Sequence, residues 1–91
     1  MVPITLAVPG ALVELLRGSP LSDGKVGFAW GAAVGPAVQR VTAVKLERGV
    51  LLVEAKTAAW ASEIRRSSPT ILSRLKKLLG EDTVSRIEVR V

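Results

Sequence analysis

Residues 41–55 read VTAVKLERGVLLVEA, and this stretch decides the fold. Taking Arg48-Gly49 as a two-residue turn sets Leu46 opposite Leu51, Val44 opposite Val53 and Thr42 opposite Ala55. Those pairs make one apolar face. The other face carries Val41, Lys45, Glu54 and Lys56, with Leu52 as a misfit. A one-residue slip would mix the two sets, so the register of the hairpin is well specified.

Beyond the hairpin, Thr57 can cap a helix whose stripe is Trp60, Ile64, Ile71, Leu75 and Leu78. Ser68 suits an N-cap and Pro69 a first helical residue, so two helices joined at a bend are expected there, with Gly80 as the terminator. Ser85–Val91 alternates Ile87, Val89 and Val91 inward with Arg86, Glu88 and Arg90 outward, the period of a strand.

Before the hairpin, Val26, Trp30, Val34 and Val38 recur at four-residue spacing between Lys25 and Gln39, which predicts a helix. Gly27, Gly31 and Gly35 weaken it, and Gly35-Pro36 kinks it or ends it early. Ser19–Gly24 is turn-like, with Ser22 or Asp23 as the N-cap. Pro9 opens a short helix over Ala11–Arg17 that groups Leu12, Leu15 and Leu16 before Gly18. The expected order is α-α-β-β-α(α)-β, an α+β class fold. It is one domain, with residues 1–24 as an N-terminal segment and 25–91 as its body. A three-stranded sheet with helices on one face is its two-layer solution, and the other sheet face is wet and ionic.

The 91 residues carry 13 Lys and Arg against 8 Asp and Glu, a net charge of +5, with no histidine, cysteine or tyrosine. Disulfides, Cys/His zinc sites, haem ligation and thiol nucleophiles are thereby excluded, and so is the usual base near neutral pH. Glu47, Glu54 and Glu88 fall at exposed positions among basic residues, and Ser67-Ser68 reads as helix capping. No phosphate-cradling or dinucleotide glycine motif is present. A non-enzymatic binding module without cofactor, metal or small-molecule substrate is expected. The uncharged runs Met1–Val13 and Val26–Gln39 fall short of the ~20 apolar residues of a membrane span. The first lacks the basic start of a secretory signal, so a soluble, cytoplasmic protein without membrane partner is expected.

Charge position says more than charge total. Arg17 and Lys25 balance Glu14 and Asp23 in residues 1–39, so the basic excess begins at Arg40. On a helix, Arg65 and Lys76 lie within about 20° of each other, as do Arg66 and Lys77, each pair roughly 16 Å apart along the axis. With Arg74 they form a mostly basic surface, opposed by Glu63 alone. Such a row suits the phosphates of a single strand. Lys45, Lys56, Arg86 and Arg90 add candidate nucleic-acid contacts from the sheet. The aromatics are Phe28, Trp30 and Trp60, and both tryptophans sit on core-facing stripes. No base-stacking platform is evident, so weak, electrostatic binding of single-stranded nucleic acid is expected. Trp60 is either core or an anchor for a protein partner. Gly24-Lys25-Val26-Gly27 spells the G-x-x-G of KH domains, but it precedes the hairpin and reads as a turn and helix start.

These residues, taken in order, resemble the DciA family of bacterial replication proteins. The likeness runs from Trp30 and Val34-Gly35-Pro36 through the hairpin with Val50-Leu51-Leu52-Val53. It continues in Thr57-Ala58-Ala59-Trp60-Ala61-Ser62-Glu63-Ile64-Arg65, then Pro69, Leu72, Leu75 and Leu79-Gly80, then Val84, Ile87 and Val89-Arg90, covering about residues 26–91. The resemblance implies a KH-like domain that associates with the replicative DNA helicase, assists its loading and can bind DNA. The junction Ser67-Ser68-Pro69 lacks the glycine loop of a KH domain, so the KH backbone clamp is not carried over. The alternative is a generic KH-like binder of RNA or DNA with no helicase role.

Overall fold

A computed structural model describes residues 21–91; the short helix expected at Ala11–Arg17 lies outside them. The first described helix, α1, spans Asp23–Val34. Ser22 is its N-cap, accepting from the Lys25 N–H at 3.1 Å. The G-x-x-G stretch is therefore the opening of a helix. Gly35 ends α1 at φ 87°, a left-handed backbone open to glycine, and its N–H donates to the Gly31 carbonyl at 2.8 Å. Pro36 then begins the one-turn helix α2, Pro36–Arg40. Of the two outcomes open at Gly35-Pro36, the chain takes the early end and restarts.

Strands β1 (Thr42–Glu47) and β2 (Val50–Ala55) pair antiparallel with Thr42 opposite Ala55, Val44 opposite Val53 and Leu46 opposite Leu51. This is the expected register. Arg48 (φ 51°) and Gly49 (φ 80°) both lie in the left-handed region, as a type I′ turn requires. β3 (Arg86–Arg90) runs parallel to β2 on its other side, giving the order β1-β2-β3. The Gly49 carbonyl accepts from the Ser85 N–H at 2.7 Å and the Ser85 hydroxyl at 3.0 Å, which pins the start of β3 to the hairpin turn.

Helix α3 runs unbroken over Ala58–Leu79, capped by the Thr57 hydroxyl on the Trp60 N–H. The division expected at Ser68-Pro69 does not occur. A proline inside a helix costs about 3 kcal/mol. Ile64, Ile71 and Leu75, on either side of it, are fully buried, and each such burial contributes roughly 1.5–3 kcal/mol. Continuity across Pro69 keeps all three on the core, and that outweighs the defect. Ser68 caps nothing; its hydroxyl donates back to the Ile64 carbonyl at 2.9 Å.

All helical apolar faces meet one side of the sheet. Leu51 and Val53 of the central strand are buried with Val26, Trp30 and Val34 of α1, Val38 of α2, and Ile64, Ile71, Leu75 and Leu78 of α3. Among the described residues no polar or charged side chain is buried. Trp30 reaches out of this core through its Nε1–H, which donates to Thr42 Oγ1 at 2.9 Å, and Thr42 in turn donates to the Val38 carbonyl at 2.8 Å. Val91, expected to face inward, is 66% exposed because it lies past the last paired residue of β3.

Candidate nucleic-acid interface

The continuity of α3 settles the geometry of its basic row. With no break at Pro69, helical phase is kept between Arg65 and Lys76 and between Arg66 and Lys77. Arg66 and Lys77 are exposed, and Lys76 is half-buried beside them. These three side chains offer cations to solvent along one helix.

Two members of the row are otherwise engaged. Arg65 donates from Nη2 to the Val89 carbonyl of β3 at 2.9 Å, tying the helix to an edge strand. Arg74 is half-buried and donates from Nη1 to the Ala33 carbonyl at 2.8 Å. That carbonyl belongs to the last turn of α1, which has no basic residue of its own. A cation placed there satisfies an acceptor without an intrahelical partner and complements the helix dipole. Both guanidiniums still contribute positive potential, but their primary contacts hold the fold.

The outer sheet face is different in character. Its rows, read across the strands, are Glu47, Val50 and Arg86; Lys45, Leu52 and Glu88; and Ala43, Glu54 and Arg90. Lys45 pairs with Glu47 at 3.1 Å and Arg86 with Glu88 at 2.8 Å, while Arg90 stands in register with Glu54. Each of these three bases has an acid beside it. The misfit Leu52 lies half-buried at its centre, next to Val50. Lys56 is exposed at the end of β2, where its N–H bonds the Val41 carbonyl at 3.0 Å. That bond brings it to the same end of the sheet as exposed Arg40, a base the sequence reading did not include among its sites.

The aromatic groups divide three ways. Trp30 is core. Trp60 is half-buried in the first turn of α3 and packs against the core cluster. Phe28 is 55% exposed on α1, away from the helical stripe that carries Trp30. Among the described residues no group of three or more Asp, Glu, His or Cys could hold a metal ion. No described helix is long and apolar enough to cross a membrane.

A family model described as "Dna[CI] antecedent, DciA" matches residues 8–89. A UPF0232 protein of Mycolicibacterium smegmatis is 29% identical over 70 residues, which is 76% of this chain and 36% of that protein. The chain thus spans about a third of the length of that relative. No solved structure matches.

Proposed function

The chain belongs to the DciA family, and from that premise we propose that it is a non-enzymatic accessory of DNA replication. In this reading it binds the replicative DNA helicase, assists its loading, and holds single-stranded DNA weakly through charge. The observation that carries the DNA part is the unbroken α3, which keeps exposed Arg66 and Lys77 in phase on one face with half-buried Lys76 beside them. Arg65 and Arg74, each bonded to a backbone carbonyl, add positive potential from the same helix, and Lys56 extends the basic surface at the end of β2. Lys45, Arg86 and Arg90 contribute the least net field toward a phosphate strand, because the carboxylate beside each offsets its charge. Trp60 is the aromatic we assign to the protein partner: it is half-buried, large, and next to the cap of α3.

The test is a pulldown with the replicative helicase of the same cell, alongside titrations with single-stranded DNA and RNA. A micromolar complex with the helicase, lost in Trp60→Ala, supports the reading. Tight RNA binding with no helicase complex replaces it with the generic KH-like binder.

A further inference from the structure

The solvent side of α3 carries a feature that the basic row does not explain. Pro69 and Leu72 form an apolar ridge between two shallow troughs. One trough, of about 330 Å³, runs between α3 and β3 and is lined by Ser68, Pro69, Leu72, Arg86 and Ile87. Its walls are aliphatic, and the Ser68 hydroxyl is already donated to Ile64. The other trough, of the same volume, lies along the far flank of the ridge, where Lys76 and Lys77 oppose Glu81. Arg86 thus stands on one flank and two lysines on the other.

From this arrangement we propose that the Pro69–Leu72 ridge and its α3/β3 trough are the docking site for an acidic protein segment that inserts one aliphatic side chain. Apart from Arg86 at its flank, the trough is lined by aliphatic groups and by Ser68, whose hydroxyl proton is already donated to the Ile64 carbonyl, so its floor selects an apolar group. Its lining has no aromatic ring on which a base could stack, which favours an aliphatic side chain over a nucleobase. Its basic flanks select carboxylates on either side of that anchor. Arg86 is bound to Glu88 only through an exposed pair, an interaction weak enough to exchange for a partner's carboxylate. This goes beyond the helicase reading, and it holds whether or not the helicase supplies the segment.

The experiment uses the full chain and a synthetic peptide of Asp and Glu around one central Leu, followed by methyl NMR. The expected result is saturable shifts of the Leu72 and Ile87 methyls, with a dissociation constant of about 0.1–1 mM. Replacing the peptide's Leu by Ser loosens binding about tenfold or more. Arg86→Glu, at an exposed position that leaves the core intact, loosens it roughly threefold to tenfold. Absent shifts, shifts confined to other methyls, or equal binding of the Leu and Ser peptides overturns the proposal. So does oligo(dT) moving the Leu72 and Ile87 methyls when the peptide does not, which would make the trough a nucleic-acid site.

Discussion

Arg74 of α3 donates to the carbonyl of Ala33 in the last turn of α1, 2.8 Å away and 41 residues earlier in the chain. A charged, part-buried hydrogen bond of this kind contributes about 1.5–3 kcal/mol. Arg74→Met keeps the packing of the aliphatic stem and removes the donor. It should lower the free energy of unfolding by about 1–3 kcal/mol in a urea titration followed by circular dichroism. An unchanged midpoint would show that the contact is incidental and return Arg74 to the pool of free surface cations.

The converse holds for Arg66 and Lys77, which are exposed and have no such structural duty in the described contacts. The double variant Arg66→Glu, Lys77→Glu should unfold at nearly the wild-type urea concentration yet bind single-stranded DNA more weakly. The slope of log K against log salt should flatten by about 1.4, the value for two lost phosphate contacts on a single strand. Lys45→Ala, which opens an ion pair on the balanced sheet face, should leave the slope within experimental error. The comparison of the two slopes identifies the surface; loss of binding alone would not.

The sequence reading and the structure part company where contacts are distant. Residues 41–55 disclose their pairing because a period of two and a left-handed turn at Arg48-Gly49 leave one register that segregates apolar from charged. The α1/α2 break is equally local, a glycine with φ 87° followed by a proline. At Ser68-Pro69 the local signals are those of a new helix, and only the burial of Ile64 and Ile71 against the sheet overrides them. The roles of Arg65 and Arg74 were illegible for the same reason. Their acceptors lie 24 and 41 residues away, and no spacing on a helix wheel distinguishes them from Arg66.

Trp30 and Thr42 offer a test of how the sheet is joined to the helices. Trp30 is 2% exposed, and its indole N–H reaches Thr42 Oγ1, which itself bonds Val38. Thr42→Val conserves shape and removes both bonds. Stranding a buried N–H costs about 1–3 kcal/mol, so this change should cost that much. In a double-mutant cycle with Trp30→Phe the double variant should lose less stability than the sum of the two singles, since the donor and acceptor are lost together. Strict additivity would mean that the two side chains do not interact in solution.

Pro69 is the residue whose replacement separates stability from function. It sits exposed inside α3, where it removes a backbone donor and where alanine would be the favoured helical residue. Pro69→Ala should therefore stabilise the protein by about 1–3 kcal/mol, the upper figure reduced because proline also restricts the unfolded chain. A thermal melt gives the sign directly. The same change takes the ring from the ridge beside Leu72 and shallows the trough that faces Ile87. If the ridge is a docking site, the stabilised variant should bind the acidic Leu peptide more weakly than the parent, with the Leu72 and Ile87 methyl shifts reduced in step. A variant that is both more stable and undiminished in binding would separate Pro69 from recognition and leave Leu72, Ile87 and Arg86 as the whole of the site.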